Sequence, residues 1–236
     1  MLTVRASGLH VGRGNAAIAG PFDFELTGGT ALVVTGPNGA GKSTLLRTLA
    51  GLLRPIAGEI ALSGVNAADG EPAERLAEVA HYVGHRHGMK TAITVGENLA
   101  FWQRYLGGQS QPGLAGVSPA AALAAVGLPG LERIPFAYLS AGQQRRASLA
   151  RLLVAKRPVW LLDEPTSALD VASQARFAAL VHEHLAEGGV VIAATHQPLG
   201  LETAETLQIA SRGAQEAGVP GVEIDEADLA AAEGWL

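Results

Sequence analysis

The chain of 236 residues contains no cysteine. That excludes disulfides, thiolate zinc sites, iron–sulfur clusters and a CxxCH haem attachment, because each needs a thiol. Basic charge is scarce as well: 17 Lys and Arg stand against 22 Asp and Glu, for a net charge of -5. A surface of that sign repels phosphate backbones, so no nucleic-acid partner is expected. Long hydrophobic runs are missing too. A long uncharged stretch, Gln109 to Leu131, is broken by Pro112, Pro119 and Pro129 and by several glycines. The opening residues, MLTVRASGLHVGRGN, lack the apolar core of a secretory signal. No direct membrane span is expected, and any membrane role should come through a partner.

What is present is a large apolar fraction, 48%, enough to build one sizeable core. Short β-branched runs alternate with helical patterns, which predicts an α/β fold with a mainly parallel sheet. The expected strands are 3–5, 22–26, 31–35, 59–62, 81–84, 159–162, 190–195 and 206–210. The part before about residue 65 alternates polar and apolar residues and turns often, as a small antiparallel layer would. Residues 91–137 read as an alanine-rich helical subdomain inserted in the core. The whole chain, 1–236, is therefore expected to be one domain: an α/β core from 1–90 and 138–236, plus that insert. The acidic tail from Gly213 is expected to form one short strand and one helix.

The segment GPNGAGKST matches the phosphate-binding pattern G-x-x-x-x-G-K-[ST], between an apolar strand and a helical pattern. It comprises Gly36, Pro37, Asn38, Gly39, Ala40, Gly41, Lys42, Ser43 and Thr44, all expected to line the phosphates of a nucleotide. The glycines allow successive amides to face phosphate oxygens at a helix N-terminus. Lys42 is expected to reach the β- and γ-phosphates, and Ser43 to ligate Mg²⁺. Downstream, VWLLDEP is an apolar strand ending in two carboxylates. Asp163 suits the Mg²⁺ shell, and Glu164 is placed to polarise a water for in-line attack.

LSAGQQRR, Leu139 to Arg146, opens a helix with Ser140 as its N-cap, expected to run through about Ala155. With SALD (Ser167 to Asp170) and His196 after a later strand, the motif order resembles the ATP-binding cassette (ABC) ATPases, over nearly the whole chain. LSAGQ differs from the family's LSGGQ signature only at Ala141. The resemblance implies a P-loop NTPase fold and ATP hydrolysis with Mg²⁺ by a homodimer of cassettes. There Ser140, Ala141, Gly142 and Gln143 would complete the site of the opposite subunit. It further implies that Asp170 links the two sites and that His196 meets the γ-phosphate. The family's usual adenine-stacking aromatic is absent from HVGRGNAAI, which offers only His10 and Arg13.

Longer strings, VGHRHGMKT, ITVGENLAFW, LSAGQQRR and THQPL, resemble one branch of these ATPases, the CcmA family of cytochrome c maturation. PTSALD departs from that branch towards the general cassette form. The resemblance implies a subunit at the cytoplasmic face of the inner membrane, bound to polytopic permease subunits. Its hydrolysis would drive release of a haem-loaded chaperone or haem export; a transporter for another small substrate is the alternative. In this reading His85 stands where most cassettes place a glutamine near Mg²⁺ and the attacking water. A neutral imidazole can accept a hydrogen bond there; an imidazolium cannot. His85 and His87 form an H-x-H pair, a weak metal signal without further ligands. Phe101, Trp102 and Tyr105 suit either the core of the insert or a partner groove. His182 and His184 are expected on different faces of a helix, both solvated.

Overall fold

Two hydrophobic periodicities build two sheets. Along β1 (Thr3–Arg13), Val4, Ala6, Leu9 and Val11 are buried on one side. β1 pairs antiparallel with β2 (Ala16–Thr27) and with β4 (Ala57–Ser63), giving the order β2-β1-β4. β1 and β2 run well past the expected 3–5 and 22–26, because irregularities between Ala6 and Leu9 restore the inward face. Gly8, at φ 53°, absorbs one of them in the left-handed conformation that glycine adopts without a Cβ clash. The second sheet is parallel, in the order β5-β6-β7-β3-β8. Its strands are β3 (Ala31–Thr35), β5 (Ala80–Val83), β6 (Val159–Asp163), β7 (Val190–Ala194) and β8 (Glu205–Gln208). Every residue of β6 and β7 is buried, as in a sheet covered on both faces. This computed structural model describes residues 1–14, 16–107, 116–196, 199–201 and 203–210. The strand and helix expected beyond Gly213 lie outside the described residues.

Among the described residues six α-helices cover the sheets: α1 (Lys42–Leu49), α2 (Val95–Gly107), α3 (Pro119–Ala125), α4 (Ala141–Leu149), α5 (Arg151–Val154) and α6 (Val171–Ala186). One face of the parallel sheet packs Leu32, Leu161 and Ile192 with Leu45 and Leu46 of α1 and Leu9 and Leu26 of the antiparallel layer. The other face packs Leu162, Val191 and Ala193 with Leu99, Leu123, Leu149 and Phe177 of the helices. Residues 91–137 leave and re-enter side by side: Val95 N donates to Ile134 O at 2.9 Å, and Ala137 N to Thr91 O at 3.1 Å. The helix expected from Ser140 to about Ala155 is interrupted at Ala150, where Leu153 N bonds Ala150 O and the turn tightens.

His184 corrects the expectation of solvation. It stacks on Trp160 with ring centroids 4.0 Å apart, and burial pushes its pKa down to about 4. His182 is exposed. His81 is buried, donates from Nε2 to Ala155 O at 2.6 Å, and is pushed by desolvation down to about 3. Arg157 and Arg151 also oppose its charging, while Glu187 favours and Lys156 opposes charging of His184. Both rings stay neutral in the fold but protonate in the unfolded chain below pH about 6.5. Unfolded chain then binds more protons, so stability falls as pH drops from about 6.5. At pH 5 His81 alone should cost about 2 kcal/mol relative to neutral pH. Urea unfolding at pH 7.5 and pH 5 checks this, and His184→Phe, which keeps the stack, should make the drop shallower.

Candidate active site

In a parallel sheet, loops that follow neighbouring strands gather at one edge. Here β3, β7, β6 and β5 lie side by side, and the phosphate-binding pattern, His196, Glu164 and His85 follow them in turn. The loop after β3 leaves Pro37, Asn38 and Gly39 exposed, while Ala40, Gly41 and Lys42 are buried. Gly36 at φ 142° passes so close to the Ile209 carbonyl that a Cβ would collide with it. Gly41 takes φ 108° as the N-cap residue of α1, so two of the pattern's glycines are required by the backbone itself.

Lys42 Nζ donates to Gly36 O at 2.7 Å and Pro37 O at 3.1 Å, and lies 3.0 Å from His196 Nε2. Since an ammonium only donates, the imidazole accepts there and carries its proton on Nδ1. His196 Nε2 is also 3.8 Å from Glu164 Oε1. Lys42, Glu164 and His196, from three separate parts of the chain, therefore meet at one point. Ser43 Oγ donates to Asp163 Oδ1 at 3.0 Å, and the Tyr82 hydroxyl to Asp163 Oδ2 at 3.5 Å. Burial raises the Tyr82 pKa, and Asp163 adds to the shift, so this phenol stays a donor. The adjacent Ser43 hydroxyl and Asp163 carboxylate make a hard oxygen pair of the kind Mg²⁺ takes alongside substrate phosphates and water. Among the described residues no cluster of three His, Asp or Glu could hold a metal unaided.

Glu164 takes φ 46°, in the left-handed region unusual for a residue with a side chain. Its amide still donates to Ala194 O of β7, at 2.8 Å. Ser140 caps α4 reciprocally: Gln143 N donates to Ser140 Oγ at 3.3 Å, and Ser140 N to Gln143 Oε1 at 2.9 Å. Asp170 caps α6 through Ser173 N at 2.7 Å, which holds its carboxyl below the usual range. Ser140, Ala141 and Asp170 are exposed, and no hydrogen bond joins them to the Lys42, Glu164 and His196 cluster.

His85 is exposed, one strand over from the carboxylates, since Val83 pairs with Leu162. Among the described residues no hydrogen bond joins its ring to Asp163, Glu164 or His196. His87 is half-buried instead, edge-on to Phe136 at 5.6 Å, and its pKa is lowered by burial and by Arg145. Trp102 donates from Nε1 to Gly88 O at 2.8 Å and lies under Arg151 at 3.8 Å, so it serves the interior. Phe101 and Tyr105 stack on each other at 5.7 Å and remain exposed.

Sequence reasoning passed over Arg145, which is 2% exposed and donates to four main-chain carbonyls around β5 and β6. A signal existed. Positions 145, 148, 149 and 152 share one helical face, and an arginine leads that inward stripe.

The family model for ABC transporters matches residues 20–167. A protein of Agrobacterium fabrum named cytochrome c biogenesis ATP-binding export protein CcmA is 55% identical over 209 residues, 88% of this chain and 95% of that one. The Rhizobium meliloti protein of the same name is 53% identical, over 88% of this chain and 98% of its own. Among solved structures, an ABC transporter ATP-binding protein of Pyrococcus furiosus is 24% identical, with a TM-score of 0.70 over 88% of this chain and 97% of that one. A dimeric ATP-binding cassette in a post-hydrolysis state, bound to ADP and Pi, is 18% identical, with a TM-score of 0.70 over 89% of this chain and 96% of that one. Such likenesses show the fold, and the closer sequences show the branch. This chain belongs to the ABC transporter family of ATP-hydrolysing cassettes and, within it, to the CcmA group.

Proposed function

We propose that the chain is the ATP-hydrolysing subunit of an export complex for cytochrome c biogenesis, coupling hydrolysis to release of haem-loaded chaperone or export of haem. The observation that carries this is 55% identity to a CcmA protein across 95% of that protein's length. A transporter for another small substrate is the less favoured reading, because the proteins of Agrobacterium fabrum and Rhizobium meliloti that match at 55% and 53% identity over 95% and 98% of their own lengths are both named for cytochrome c biogenesis export. The described residues include no helix long and apolar enough to cross a membrane. We place the subunit at the cytoplasmic face of the inner membrane, held there by polytopic permease subunits.

In the proposed mechanism the backbone N–H groups of 38–44 bind the phosphates of ATP, and Lys42 exchanges its two carbonyl acceptors for phosphate oxygens. Glu164 takes a proton from the attacking water, and His196 holds the γ-phosphate and that water in line. Ser43 and Asp163 would hold Mg²⁺, which neutralises charge on the β- and γ-phosphates; His85 would orient the water or add a ligand. Ser140, Ala141, Gly142 and Gln143 serve the nucleotide of a second copy, with Asp170 joining the two sites. The exposure of Ser140, Ala141 and Asp170 supports this, as do the two large apolar side chains flanking them, Tyr138 at 81% and Val171 at 82% exposure. The stacked Phe101 and Tyr105, on the helix after the His85 loop, suit the permease contact.

A strain lacking this gene should lose c-type cytochromes on a haem-stained gel and regain them with the wild-type gene but not with Glu164→Gln. Normal c-type cytochromes in the deletion strain would remove the assignment to this pathway and leave the ATPase reading intact.

A further inference from the structure

Arg145 sits on α4, five residues after its N-cap Ser140, with 2% of its surface exposed. Its guanidinium forms no hydrogen bond to a carboxylate among the described residues. Nε donates to Pro165 O at 3.1 Å, Nη1 to Gly84 O at 2.9 Å, and Nη2 to Asp163 O at 2.9 Å and to Glu164 O. Burial lowers its pKa from the usual guanidinium value, while Asp163 and Glu164 nearby favour the cation. A guanidinium is planar and presents its donors as a rigid fork, so four short contacts fix the relative places of all four carbonyls.

Three of those carbonyls are consecutive, 163 to 165. An extended strand points successive carbonyls to opposite sides; here the left-handed Glu164, at φ 46°, turns them onto one guanidinium. That backbone conformation is disfavoured for a glutamate, and the surroundings must hold it. The fourth carbonyl, Gly84, precedes His85. Further along that loop, Arg151 Nη1 donates to His87 O at 2.9 Å, Trp102 Nε1 to Gly88 O at 2.8 Å, and Asn98 brackets Lys90 through its N and O. His85 thus lies between the Gly84 and His87 anchors, both made by arginines of the α4–α5 segment.

We propose that Arg145 is a positioning residue for hydrolysis, joining the signature helix, the Glu164 turn and the His85 loop into one rigid unit. It rests on the reading of Glu164 as the general base. The helix that carries Arg145 begins at the signature, which faces the other subunit's nucleotide. Engagement of that nucleotide is therefore transmitted, through one buried side chain, to the carboxylate and the histidine of this subunit's own site. Arg145 touches no reacting atom; it acts through the backbone on either side of Glu164 and ahead of His85.

The test combines steady-state kinetics with hydrogen exchange on the full-length protein. In Arg145→Gln, kcat for ATP should fall about 10–100-fold, the scale of a small misplacement of a catalytic group, while KM for ATP stays within about twofold. Amide exchange should speed up in peptides covering 84–88 and 163–168 and stay unchanged in β3, β7 and α1. Arg145→Lys, which keeps the charge and loses the fork, should behave alike. Millimolar guanidinium should restore part of the kcat of Arg145→Ala without stimulating the wild type. An unchanged kcat, a KM rise matching the kcat loss, or faster exchange throughout the core would overturn the proposal; the last would make Arg145 a scaffold residue. If Glu164→Gln hydrolyses ATP normally, the Glu164 reading fails, and the exchange pattern still reports whether Arg145 ties the two segments.

Discussion

ATP hydrolysis by Glu164→Gln is expected to fall roughly 10²- to 10⁴-fold, the range that a positioned general base contributes. Glutamine keeps the size of the side chain and a hydrogen-bonding end, but it cannot take a proton from water. The loss should lie in kcat, because Glu164 approaches His196 at 3.8 Å and, among the described residues, its carboxylate makes no hydrogen bond to the loop 36–41 proposed to bind the phosphates. Bound ATP should then persist, and with it the sandwich of two cassettes, as a species of doubled mass in size-exclusion chromatography. A solved ATP-binding cassette of the same fold, bound to ADP and Pi, is dimeric. Near-normal turnover in this variant would show that another group activates the water. A monomer in saturating ATP would show that the signature does not serve a second copy.

Lys42→Ala is expected to fail one step earlier, at binding. The ammonium holds Gly36 O, Pro37 O and His196 Nε2 within 3.1 Å, so it is already aimed at the mouth of the loop. Each hydrogen bond from a charged group contributes about 1.5–3 kcal/mol, so losing it should raise the Kd for ATP roughly 10- to 100-fold. The variant also leaves His196 without its donor, and the imidazole is then free to take the other tautomer. Titration calorimetry with ATP separates the two variants: Glu164→Gln should bind with undiminished affinity, and Lys42→Ala should not. Lys42→Arg is not expected to rescue, because a planar fork cannot replace a point charge inside a turn of buried backbone. Equal affinities for the wild type and Lys42→Ala would contradict the role given to this lysine.

Much of the site was legible because its motifs are local. GPNGAGKST encodes a backbone path, and glycines 36 and 41 occupy conformations that exclude other residues. VWLLDEP reads as a buried strand because apolar side chains on both faces leave only its end for carboxylates. Ser140 and Gln143 spell their capping box three residues apart, and the structure forms it. Local pattern failed where burial is decided by distant chain. Two histidines two apart on a helix must face differently, yet that spacing does not say which one meets Trp160; β6 supplies that ring, and His184 packs on it. Likewise, no string within LSAGQQRR says that Arg145 will find four carbonyls, because they come from residues 84 and 163–165.

By itself, then, the sequence determined the family, the order of the strands among the described residues, and the loop proposed to bind phosphate, since each depends on residues within one turn or one strand. Only the tertiary structure decided which side chains meet. The parallel sheet sets the ends of β3, β5, β6 and β7 along one edge, and so brings Lys42, Glu164 and His196 together from positions up to 154 residues apart. It also leaves His85 exposed and turns Arg145 inward. Those outcomes follow from strand order and from the two apolar faces of the sheet, which no short window of sequence contains.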